Sequence, residues 1–155
     1  LHLAIGHFPI HVPGLLHTPL YQEALGLYCG RRHPLYGSKA EGDELREEIA
    51  ASRIVVRGYM QQYDLEHLGV TKAAATVDNI EALAILLISG AYLGFLPAHF
   101  AAQWIKTVEM HQLAPNSLQL MSPFAVITRR GTAPPPILQA FLEDLAASSR
   151  KTAKG

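Results

Sequence analysis

A single cysteine, Cys29, stands among the 155 residues, so no disulfide can form within the chain. That usage fits a reducing compartment. Charge is scarce too: 17% of residues are charged, and 13 basic side chains balance 13 acidic ones. No basic field exists to hold nucleic acid by its phosphates, which excludes this stretch as a DNA binder in its own right.

Catalytic and phosphate-binding signatures are missing as well. The sequence has no G-x-S-x-G, P-loop, G-x-G-x-x-G or C-x-x-C pattern. His7 and His11 have the spacing of a helical metal pair, but the FPI between them and the nearby Pro13 and Gly14 oppose a helix there. No catalytic residue, metal ligand or cofactor is therefore assigned, and an enzyme is not expected. Cys29 lies mid-strand in LGLYCGRRHP and reads as a packing residue.

An uninterrupted membrane-length run is lacking too. Ile80 to Leu96 contains Glu81, Gly90 and Gly94 and is closed by Pro97, whereas a span needs about 20 predominantly apolar residues in one helix. No signal peptide is visible, and the cytoplasm is the expected location. LHLAIG, Leu1 to Gly6, reads at once as a buried strand with no initiator Met before it. The expectation is a fragment whose upstream partner is missing.

What is present is the makeup of a folded domain, with 49% apolar residues. A chain of this size buries roughly 70% of the surface its unfolded form exposes. Strand-length apolar runs recur at Leu1–Gly6, Ala24–Gly30, Arg53–Val56, Ala73–Val77, Tyr92–Leu96, Ser117–Met121 and Phe124–Thr128. Between several of them the spacing predicts helices.

Asp43–Ala51 sets Leu45 and Ile49 opposite Glu44, Glu47 and Glu48, and Tyr59–Leu68 stops at Gly69. In Asp78–Ser89, Asp78 and Glu81 form a capping-box-like pair; Pro97–Ile105 starts on a proline preset for a first turn. A last helix follows the prolines at 134–136, and the tail SSRKTAKG is expected to fray.

Strands alternating with helices imply βαβ units and a largely parallel sheet. The helix in VDNIEALAILLISG is apolar on nearly all sides, so a sheet plus other helices, or a sheet plus a second subunit, must cover it. In open α/β sheets ligands collect at the C-terminal ends of strands. Three such ends stand out: Gly6, His7 and Phe8; Arg57, Gly58, Tyr59 and Met60; and Asp78 with Asn79. Arg57 suits a carboxylate, His7 a hydrogen bond, and Tyr59 an apolar ligand face.

The order LHLAIG, PLYQEALGLYCGRRHPL, RIVVRG, TVDNIEALAILLISGAYLGFLP, SPFAVITRRG, ILQAFLEDL resembles the effector-binding (substrate-binding) domain of LysR-type transcriptional regulators over nearly the whole chain. The "HPL" of His33, Pro34 and Leu35 and the block with Ser89, Gly90, Gly94, Leu96 and Pro97 carry it. Tyr92 stands where a glycine is more usual.

The resemblance implies two Rossmann-like α/β lobes with mainly parallel sheets, of the type II periplasmic-binding-protein kind. The first lobe, 1–8 and 106–150, would be incomplete; the second, with hinge segments, would span 9–105, and 151–155 would be a disordered tail. A small-molecule metabolite, of anionic character given Arg57, would sit in the cleft at Gly6, His7, Phe8, Arg57, Gly58, Tyr59 and Met60. DNA would be reached only through a missing N-terminal winged helix-turn-helix, and an uncovered sheet edge near Leu1 to Ile5 would favour a homodimer or higher oligomer. The rival reading is a periplasmic solute-binding protein of similar fold.

Overall fold

The computed structural model describes residues 2–8, 10–131 and 133–152. Contacts divide the chain into two units, 1–23 with 121–155, and 24–120. Both breaks fall inside strands, where sequence reasoning had set them at 8/9 and 105/106.

In the first unit, β1 (Leu3–His7) lies antiparallel to β7 (Gln119–Arg129), with Leu3 opposite Thr128 and His7 opposite Phe124. The first half of β2 (Leu15–Gly30) also belongs here. The runs at 117–121 and 124–128, expected as two strands, join into β7, which continues in extended conformation through Ser122 and Pro123. Helix α5 (Pro136–Thr152) turns Leu138, Leu142 and Leu145 inward at spacings of four and three and leaves Ile137 exposed. The expected tail falls partly in this helix, and 153–155 lie outside the described residues.

The second unit is built round the other half of β2. Strand β5 (Leu93–Pro97) pairs with it antiparallel from Leu25 opposite Pro97 to Cys29 opposite Leu93. Strand β6 (Met110–Leu113), not foreseen from sequence, pairs with it from Leu27 opposite Leu113 to Gly30 opposite Met110. Parallel pairing, expected to predominate, joins β3 (Val55–Arg57) to β4 (Ala75–Val77) and Ile54 to Leu93 among the described residues. The long strand β2 runs opposite to both β5 and β6, so these ladders are antiparallel.

Both faces of this sheet are covered, which is why its strands lose apolar alternation. On one face Leu27, Cys29 and Phe95 pack with Leu45 and Ile49 of α1 (Gly42–Ala51) and Leu65 and Leu68 of α2 (Gln61–Leu68). On the other, Tyr28, Val55 and Leu96 pack with Leu83, Ala84 and Leu87 of α3 (Ile80–Ile88) and Ala101 of α4 (Ala98–Lys106). Each fully buried leucine contributes roughly 1.5–3 kcal/mol. Helix α3 is not covered on all sides within the chain, for Ile85 remains 68% exposed.

The close seams sit at the motifs. A Cβ on Gly30 would lie 2.1 Å from the Leu87 carbonyl oxygen. Gly90, at φ +79° just after α3, would place one 2.5 Å from the Cβ of Arg32. Only glycine lets the end of β2 press against the end of α3. The "HPL" turn that follows β2 is held by His33, whose buried Nδ1 accepts the Leu35 N–H at 3.1 Å. Burial lowers the His33 pKa, which keeps the ring neutral and the acceptor available.

Two end signals differ from expectation. Asn79, not Asp78, caps α3, its Oδ1 accepting the Ala82 N–H at 2.8 Å, because Asn79 is the extended residue just before the first turn. Pro97 ends β5 at φ −55°, ψ 131° and precedes α4 instead of opening its first turn.

Candidate functional site

The residues singled out in sequence fall into two clusters, one in each unit. In the first unit, β1 carries Gly6 and His7, with Phe8 directly after it. The His7 Nδ1 lies 2.9 Å from the Ser122 Oγ and 3.2 Å from the Pro123 carbonyl oxygen. A carbonyl only accepts, so that contact is made with the proton on Nδ1. Ser122 is buried at the strand pair, and next to it Phe124 stacks on Tyr21 with centroids 4.9 Å apart. Burial and, less, Glu23 push the Tyr21 phenol up. Phe8 meets the His17 ring edge-on at 6.2 Å, and His17 stacks on His11 at 4.2 Å. The two histidines of the apparent metal spacing thus have different partners.

In the second unit, Arg57 ends β3 and a short 3-10 turn, Gly58–Met60, leads into α2. Arg57 is 3% exposed and faces Asp64 of α2, itself 1% exposed, with Nη2 to Oδ1 at 3.7 Å. Burial pushes the Asp64 carboxyl up to about 6, against the opposing pull of the Arg57 charge and N–H groups. Tyr59, 54% exposed, places its ring 5.6 Å from the guanidinium carbon. Met60 is buried in the apolar core under α1 and α2. The Asp78 carboxylate stands over Gly58, where a Cβ would lie 3.0 Å from its Oδ1.

The partners of these residues escaped sequence reasoning. Asp64 had a usable signal: it lies four residues before Leu68, on the helix face that enters the core. Ser122 and Phe124 had none, since strand pairing brings them to His7 from far along the chain, and Tyr21 meets Phe124 across a similar separation. Cys29 is fully buried, with its thiol pushed up to about 12, so it carries no thiolate at neutral pH. Among the described residues no three His, Cys, Asp or Glu side chains are grouped to hold a metal ion.

The architecture is that of two-unit α/β regulatory domains of the type II periplasmic-binding-protein kind. Residues 1–150 match the model of the LysR substrate binding domain, and the chain belongs to that family. The HTH-type transcriptional activator BauR of Pseudomonas aeruginosa is 33% identical over 151 residues, which cover 95% of this chain and 49% of that protein. The chain thus spans about half the length of this relative.

Among solved structures, the effector binding domain of QuiR in complex with shikimate aligns with a TM-score of 0.78 at 14% identity. The alignment covers 97% of this chain and 72% of that one. The regulatory domain of Synechocystis CcmR in complex with 2-PG aligns at 0.76 with 18% identity, over 96% of this chain and 73% of that one. At such identities these two speak for the fold alone.

Proposed function

We propose that this chain is the effector-sensing part of a LysR-type transcriptional regulator, binding a small metabolite and passing that event to DNA binding elsewhere in a longer protein. The match to the substrate binding domain family across residues 1–150 carries the reading. That QuiR and CcmR domains were solved with shikimate and 2-PG supports a small polar ligand. The buried Arg57 favours an anionic one.

Ligand contacts are proposed at Gly6, His7, Phe8, Arg57, Gly58, Tyr59 and Met60. The ligand acts by differential binding: it favours one arrangement of the regulator to the extent that it binds that arrangement more tightly. No covalent step is required. A regulator family match favours this reading over a periplasmic solute-binding protein. Operation in the cytoplasm goes with it. Among the described residues no helix is long and apolar enough to cross a membrane.

Self-association belongs to the same reading. The first unit exposes Ile5, Leu16, Tyr21, Met121, Ile137 and Phe141, each at least 44% accessible, a surface that favours burial against another chain. Light scattering that finds only monomer at high concentration would contradict it. For the ligand, a calorimetric comparison with the His7→Ala, Arg57→Ala double variant is the test. Loss of binding supports the assigned contacts, and undiminished binding removes them.

A further inference from the structure

The interior of the second unit holds two opposite charges, Arg57 and Asp64, in a core otherwise built of apolar side chains with His33 at its margin. A buried ion pair repays its desolvation only when its geometry is good and its remaining donors and acceptors are matched. Neither condition is met here. The 3.7 Å separation is well beyond the roughly 2.8 Å of a charge-assisted hydrogen bond. Among the described residues, Arg57 Nε and Nη2 and both carboxylate oxygens of Asp64 make no contact of full hydrogen-bond geometry, although Arg57 N–H groups lie near enough to pull on the carboxyl.

The guanidinium fork is shaped to meet two oxygens of one planar or tetrahedral anion. Arg57 also stands at the C-terminal end of a parallel strand, where ligands collect in such sheets. The half-exposed Tyr59 ring, on a turn that starts at Gly58, lies 5.6 Å from the Arg57 guanidinium carbon. Beside that turn an open groove of about 520 Å³ is lined by Gly58, Gln61, Leu65 and Val70, among others.

We propose that Arg57 is the receptor for an oxyanion of the ligand, carboxylate or phosphate, and that Asp64 is its resident counter-ion, which must be protonated for the anion to bind. The proposal deepens the effector reading and rests on it. Two anions on one buried cation would leave a net buried negative charge, so the incoming anion brings a proton with it. With the Asp64 carboxyl held up to about 6, that proton is within reach near neutral pH.

Below pH 6 Asp64 is already neutral and affinity is flat. Above it, one proton is taken up per anion bound and affinity falls about tenfold per pH unit. Helix α2 packs against β3, α1 and the 58–60 turn. The other titratable groups on these elements and beside the turn are Tyr63, Glu66 and His67 of α2 itself, Asp43, Glu44, Arg46, Glu47 and Glu48 of α1, of which Glu48 is on the inner side, Tyr59, and Asp78 beside Gly58. Arg57 is the charge that bears on the Asp64 carboxyl.

Succinate and inorganic phosphate are the probes, titrated calorimetrically between pH 5.5 and 8 into the unaltered chain and the Asp64→Asn and Arg57→Gln variants, with circular dichroism to check folding. At least one probe is expected to bind the unaltered chain with the tenfold slope and with uptake of one proton at pH 7.5. Asp64→Asn should bind at least tenfold tighter at pH 7.5 without the slope, and Arg57→Gln should not bind. Succinate alone would assign the site to carboxylates, and phosphate alone to phosphoryl groups.

Carbon-13 NMR of the Asp64 carboxyl in the unaltered chain needs no variant and should show its titration moving to higher pH when the probe is bound. A carboxyl that does not move, binding that is independent of pH, or no binding of either probe overturns the proposal. If a screened metabolite binds with no dependence on Asp64 or pH, the proposal fails while the effector reading stands. If no metabolite binds at all, the effector reading fails with it.

Discussion

Replacing Gly30 by alanine should unseat α3. The added Cβ would lie 2.1 Å from the Leu87 carbonyl oxygen and 3.0 Å from the Cα and carbonyl carbon of Ile88. A carbon–oxygen contact settles at roughly 3.3 Å or more, so strand or helix must move by about an ångström. All the atoms met are backbone, so no side-chain rotation relieves the clash. Leu83 and Leu87 on that helix are fully buried, and a shift of that size loosens both.

Overpacking alone costs about 1–3 kcal/mol, and partial loss of two leucine contacts brings the expected destabilisation to about 3 kcal/mol. In urea the midpoint should fall with the slope unchanged, and the melting temperature should drop by roughly 6–12 °C for a chain of this length. Gly6→Ala is the control, because its Cβ meets only the Phe8 ring at an ordinary 3.5 Å. It should stay within about 0.5 kcal/mol. A Gly30→Ala loss below about 1 kcal/mol, or an equal loss at Gly6, would refute the account of the seam.

Three further outcomes follow from single residues. Val108 closes α4 at φ 62°, with Glu109 N–H donating to the Trp104 carbonyl at 2.9 Å, so a β-branched residue holds a position that suits glycine. Val108→Gly should raise stability by about 1 kcal/mol in urea unfolding, since the side chain is 54% exposed and little packing is lost; a destabilised variant would contradict this. Asn79→Ala should cost about 1 kcal/mol through loss of the α3 cap, and Asp78→Ala clearly less, which chemical denaturation of the two side by side will rank. His33 has a pKa lowered by burial, so the stability it contributes is present above its unfolded value of about 6.5 and is lost as pH falls below it. His33→Asn retains an acceptor without that titration, so its stability relative to the unaltered chain should improve between pH 7 and pH 5, and a flat difference would argue against the assignment.

The helices were legible because each carries its own signal, such as Leu45 with Ile49 or the glycine after Leu68. The two-sided burial of the central strands was legible too, from the absence of alternation in VVRG and YLGFLP. Strand β6 was not: MHQL is four residues long and exists through its ladder with β2, a contact between segments about 80 residues apart. The cap of α3 was misplaced because two good capping residues are adjacent, and only the backbone angles choose Asn79 over Asp78.

The site was legible at the level of strand ends, which topology exposes, and illegible at the level of partners. Arg57 could be named from its place after RIVV. That Asp64 enters the core was hinted at by its four-residue spacing to Leu68, but that it meets Arg57 there depends on how α2 packs on β3, which the sequence does not carry.

The central claim is that this chain recognises a small effector. Isothermal titration calorimetry of the chain against hits from a thermal-shift screen of carboxylated and phosphorylated metabolites tests it most directly. The account predicts at least one ligand that binds saturably with one site per chain and raises the melting temperature in proportion to the logarithm of its concentration. Failure of every such metabolite to give saturable heat, with the chain shown to be folded, would contradict it.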